Sequence, residues 1–170
     1  MFSFKMISKI INLGPIIFLY YLSISEIDTH FENYFEILSF NIQLIIIYFW
    51  SLKRPEALGG GHVFFAGLIN DVVMGIPLGL SSLSYLVVSL VAAYIKNMTV
   101  NTRITTDWFT FFVAIFFSNL TFFILLNKFS DVAINVTEMS YNTFFTLLFF
   151  PFFWFLFTYY NSIMVIRKNA

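Results

Sequence analysis

Six long apolar runs, at about 10–25, 37–52, 63–76, 79–95, 108–127 and 141–166, follow one another with only short polar breaks between them. A transmembrane helix takes about 20 apolar residues to cross a hydrocarbon core. A chain of 170 residues that is 59% hydrophobic and 11% charged therefore holds about six spans and no soluble domain. Backbone polar groups must be satisfied within lipid, and these runs are continuous rather than alternating, so each is read as a helix and a β-barrel is not expected. The expected fold is one all-α integral membrane domain over residues 1–170.

Basic residues are retained on the cytoplasmic side of a membrane. With six spans and the N-terminus inside, Lys5, Lys9, Lys53, Arg54, Lys96, Arg103, Arg167 and Lys168 all fall inside, and Lys128 alone of the nine falls outside. Omitting one span would scramble this partition, so it supports both the span count and an N-in, C-in orientation. The acids Glu26, Asp28, Glu32, Glu36, Asp131 and Glu138 fall in the outer loops. The first run, preceded by Lys5 and Lys9 and followed by Ser23-Ile24-Ser25, has some features of a signal peptide. Removing it would leave an odd number of spans, and it is expected to stay.

The formal net charge of +0 provides no concentrated basic face for nucleic acid. There are no cysteines, which excludes disulfides and thiolate chemistry. His30 is expected in an outer loop and His62 at an inner helix end, too far apart to share a metal. No Ser/His/Asp set shares a leaflet, so neither catalysis, metal nor cofactor is expected. Pro151 should kink the last span, and its neighbouring phenylalanines suit lipid contact and interhelix filling.

The most unusual stretch runs from Trp50 to Ile95. Pro55 biases Arg54 away from helix, so the second span should end at the basic turn Lys53-Arg54-Pro55-Glu56. That turn suits either an anchor in anionic lipid headgroups or a docking surface for a cytoplasmic partner. Gly59-Gly60-Gly61 lacks the spacing of a phosphate loop and would let the chain turn sharply into the third helix. Asp71, preceded by Asn70, lies in the third run, where a carboxylate at the bilayer centre is costly and should face protein or water. Gly67, Asp71 and Gly75 recur every four residues, on one stripe where another backbone can approach closely. A buried polar clasp fits this geometry, and a proton, cation or ligand contact is the functional alternative. Gly75-Ile76-Pro77-Leu78-Gly79 should form the outer corner of a helical hairpin. Small residues at Gly79, Ser82, Ser89 and Ala93, and at Thr110, Ala114, Ser118 and Thr121, place spans three to five at the compact centre.

The residues Tyr48-Phe49-Trp50-Ser51-Leu52-Lys53-Arg54-Pro55-Glu56, Phe65-Ala66-Gly67-Leu68-Ile69-Asn70-Asp71 and Gly75-Ile76-Pro77-Leu78-Gly79 resemble the bacterial rod shape-determining family MreD. The detailed likeness covers about residues 48–95, with agreement elsewhere in length and in the pattern of apolar runs. The resemblance implies a non-enzymatic inner-membrane subunit of the cell-elongation machinery. Its implied partners are an MreC-like bitopic protein, the MreB filament, and the wall synthase RodA with its penicillin-binding partner (PBP2). It also implies an architecture similar to the substrate-binding membrane subunits of vitamin importers, which keeps a small-molecule transport component as the alternative. In the scaffold reading, spans three to five grip the MreC helix, with Gly67, Asp71, Gly75 and Gly79 shaping the contact, while Lys53, Arg54 and Glu56 face cytoplasmic partners. The phenylalanine-rich sixth span departs from the common pattern.

Overall fold

The computed structural model describes residues 2–25, 40–98, 103–130 and 136–169, and no strand occurs among them. The helices are α1 (Phe2–Ile24), α2 (Ile42–Lys53), α3 (Gly60–Val73), α4 (Leu80–Met98), α5 (Ile104–Phe129) and α6 (Val136–Asn169). Hydrogen bonds from Gln43 to the Leu22 carbonyl and Asn70, and from Asn70 to Ser81, gather the ends of α1 and α3 and the starts of α2 and α4. An ion pair between Lys53 and Asp107 gathers the end of α2 and the start of α5. Successive helices therefore run up and down between two ends of one bundle.

Three helical stretches, Leu80–Met98, Ile104–Phe129 and Val136–Met164, are long and apolar enough to cross a membrane, while α2 and α3 are shorter apolar helices. The second helix starts at Ile42 rather than 37. Asn41 stops it there: in extended conformation, its side chain accepts from Leu44 N at 3.1 Å as an N-cap. The other end falls where proline predicts, since Arg54 has φ −147° and ψ 73° and follows the last helical residue. At the third helix, Gly60 and Gly61 lie inside the first turn and Gly59 is extended at φ −72°, so the triple glycine makes no left-handed turn. The left-handed glycines are Gly75 at φ +64° and Gly79 at φ +101°. Ile76 N bonds the Asp71 carbonyl at 3.1 Å and Gly75 N the Val72 carbonyl at 3.3 Å, a Schellman closure with Gly75 in the left-handed position.

The centre differs from expectation. All nine residues from Leu44 to Leu52 are buried, so α2 is wrapped on every side by its neighbours. A helix apolar all round belongs inside a bundle, and the small-residue stripes of α3, α4 and α5 gave no hint of it. Those stripes do pack. Ser82 Oγ donates to the Phe64 carbonyl at 3.0 Å, joining α4 to α3. Ser84 and Ser118 each donate to the other's carbonyl, at 2.7 and 3.0 Å, joining α4 to α5. Ser51 and Ser89 meet at 3.0 Å between α2 and α4.

The sixth helix continues through Pro151, whose missing N–H orphans the Leu147 carbonyl four residues back. Trp108 Nε1 donates to that carbonyl at 2.9 Å. The phenylalanines of α6 divide by face: Phe150 stacks on Phe111 with centroids 4.4 Å apart and Phe157 packs on Phe49 and Trp50, whereas Phe144, Phe152 and Phe155 point outward.

Candidate functional site

Two fully buried carboxylates, Asp71 and Asp107, lie at opposite ends of the bundle. The length of α4 separates these ends, roughly 28 Å at 1.5 Å per residue. Each is built from a different kind of partner.

Asp71 sits in the last turn of α3, not at mid-span, so it meets the start of the next helix. Its Oδ2 accepts from Gly79 N at 2.6 Å and its Oδ1 from Ser81 N at 2.8 Å. The first amides of a helix have no partner within it, and glycine at the N-cap has no side chain with which to supply one. Asp71 reaches across the hairpin and supplies both acceptors, and its negative charge lies at the positive end of the α4 dipole. Gly79, Ser81 and Asp71 thus form a clasp inside the chain. Beside it, Asn70 accepts from Gln43 at 3.3 Å and donates to Ser81 Oγ at 3.1 Å, and the Tyr85 hydroxyl donates to Gln43 Oε1.

One turn earlier, Gly67 is buried under the start of α4. A Cβ at this position would stand 2.5 Å from Ser82 N and against Ser82 Cα, both backbone atoms that cannot swing aside. Gly67→Ala therefore forces α3 and α4 apart and should cost about 3 kcal/mol, read as a lowered unfolding midpoint in a mixed-micelle titration. A midpoint unchanged from wild type would refute the close approach. Pro77 lies in the corner between the left-handed glycines and is half-buried.

The second carboxylate was missed from sequence because the fifth run was started at 108. The helix begins at Ile104, which puts Asp107 in its first turn. Asp107 Oδ2 pairs with Lys53 Nζ at 2.8 Å and accepts from Trp154 Nε1 at 2.8 Å, so α2, α5 and α6 are tied at one atom. Lys53 Nζ also lies 5.7 Å from the centroid of the Trp154 ring. The signal was present as an acid four residues after Arg103, in the position where a helix start favours an acid. The basic turn is thus turned partly inward. The Lys53 side chain is 19% exposed and the Arg54 side chain 12%, Arg54 pairing with Glu56 at 3.5 Å. Pro55 and Glu56 remain as its exposed residues.

Neither acid has the chemistry of a catalytic pair, since α4 stands between them. His62 Nδ1 lies 3.2 Å from the Tyr20 hydroxyl, while His30 lies outside the described residues. No cluster of metal-ligating side chains occurs among the described residues.

Comparison with known protein families matches residues 6–161 to the rod shape-determining protein MreD. The chain belongs to the MreD family. No curated protein and no solved structure matches it. The MreD match reaches from α1 into α6, so it takes in the Asp71 clasp, the Lys53–Asp107–Trp154 tie and the hairpin glycines, well beyond residues 48–95. An MreD chain is a membrane protein with a role in rod shape, and nothing matched supports the transport alternative.

Proposed function

We propose that this chain is a non-enzymatic scaffold subunit of the bacterial cell-elongation complex, holding an MreC-like bitopic partner beside the wall-synthesis machinery. The MreD family match over residues 6–161 carries the reading. In this reading the chain lies in the inner membrane with six crossings and both termini in the cytoplasm. The short helices α2 and α3 cross within a bundle whose other helices supply the lipid contact. The distribution of basic residues supports the orientation: Lys53, Arg54, Lys96 and Arg103 share one end and Lys128 the other.

The clasp then acts by shaping the surface a partner meets. Asp71 and Gly67 are directed at α4, so they fix the angle and spacing of the α3–α4 pair, whose outward residues include Phe65, Val72 and Leu83. A partner helix packs on that face, while Glu56 and Pro55 are offered to cytoplasmic components such as an MreB-like filament, and RodA with its penicillin-binding partner is reached through the MreC-like protein. The test is purification of tagged protein from membranes in mild detergent, with mass spectrometry of what accompanies it. Recovery of an MreC-like single-span protein, retained in the lipid-facing variant Phe152→Leu, is the expected result. Recovery of an energy-coupling ATPase module instead would overturn the scaffold reading.

A further inference from the structure

A cavity of about 340 Å³ lies at the end of the bundle that holds Asp71, within the range of about 300–1,000 Å³ usual for small-molecule sites. Each of the six helices sends a polar side chain to its wall: Ser23, Gln43, Asn70, Ser84, Asn119 and Asn142 in chain order. Polar residues are unfavourable inside a membrane bundle unless something answers them.

The wall has a definite chemistry. Among the described residues it contains no Lys, Arg, His, Asp or Glu, and residues such as Val73 and Phe122 supply apolar surface between the amides and hydroxyls. Some of its polar groups already satisfy one another, while two side chains each keep one atom open. Asn41 caps α2 through Oδ1, and Asn119 donates to Thr143 Oγ1 at 2.7 Å. Asn41 Nδ2 and Asn119 Oδ1 have no partner among the described residues, which leaves a donor and an acceptor for an occupant. A phosphate or an ammonium would lose its hydration here without meeting a counter-charge among the described residues. A hydroxyl both donates and accepts, so a group carrying several hydroxyls matches a wall of amides and serines.

We propose that this cavity is a binding site for an uncharged, sugar-like group, either a free sugar or the headgroup of a glycolipid. The proposal stands apart from the scaffold reading and does not depend on it.

The test is native mass spectrometry of the full chain in phosphatidylcholine nanodiscs, titrated with octyl glucoside, methyl glucoside, octyl phosphate and octyltrimethylammonium. Saturable one-to-one binding of octyl glucoside, about tenfold stronger than the two charged amphiphiles with the same tail, is expected. Binding of methyl glucoside as well identifies a free sugar as sufficient; binding of octyl glucoside alone identifies a lipid headgroup. Asn119→Leu removes the open acceptor and should weaken glucoside binding about tenfold, the loss of one good hydrogen bond. Val73→Trp should abolish it by filling the space, and circular-dichroism melting of both variants establishes that they fold. Equal binding of all three octyl amphiphiles, no binding of either glucoside, or wild-type affinity in a folded Asn119→Leu protein would each overturn the proposal.

Discussion

Asp107→Ala is expected to lower stability by about 3–5 kcal/mol, the usual cost of removing one partner from a buried ion pair. The carboxylate is fully buried, and its Oδ2 holds both the Lys53 ammonium and the Trp154 indole N–H at 2.8 Å. Alanine removes the carboxylate that pairs with the Lys53 side chain, which is 19% exposed, and leaves the Trp154 N–H without an acceptor. The effect should be read as a fall in the unfolding midpoint in mixed micelles. The double variant Lys53→Met with Asp107→Leu is expected to recover most of the loss, because an apolar pair removes both charges together. A single variant as stable as wild type would show that the tie between α2, α5 and α6 contributes nothing.

Asp71→Ala should cost about 3 kcal/mol, and Asp71→Asn about half as much. Alanine strands two backbone donors, the buried Ser81 N and the part-buried Gly79 N, and an unsatisfied buried donor costs about 1–3 kcal/mol. Asparagine keeps one acceptor oxygen and turns an amide towards the second N–H, so about half of the clasp survives. The charge–dipole contribution at the start of α4, about 0.3–1 kcal/mol, is lost in both. The same micelle titration measures the pair, and the ordering wild type, Asn, Ala is the discriminating result. Equal midpoints for all three would contradict a clasp.

The fold class was legible because each apolar run is bounded by a residue with a mechanical role. Pro55 ends α2 where expected, and the Gly75–Gly79 corner separates α3 from α4. The starts of helices were less legible. A capping Asn41 shortens α2, and an apolar run beginning at Trp108 concealed a first turn that reaches back to Ile104. Asp107 was lost with that turn. Asp71 could be read as facing protein or water, since a carboxylate exposed to lipid is costly, and the structure buries it fully. The donors it holds could not be read, because they are backbone amides and carry no signature in the side-chain sequence. The enclosure of α2 was visible only as the absence of any polar face from Ile42 to Trp50, and absence on its own does not say which neighbours fill it.

The central claim is that this MreD-family chain supports rod shape through a bundle welded at Asp71, and shape rescue tests it most directly. In a rod-shaped bacterium depleted of its own MreD-family protein, wild-type chain and Phe152→Leu should restore rods, Asp71→Asn should restore them partly, and Asp71→Ala should leave the cells round. Full rescue by Asp71→Ala at wild-type protein levels would contradict the account.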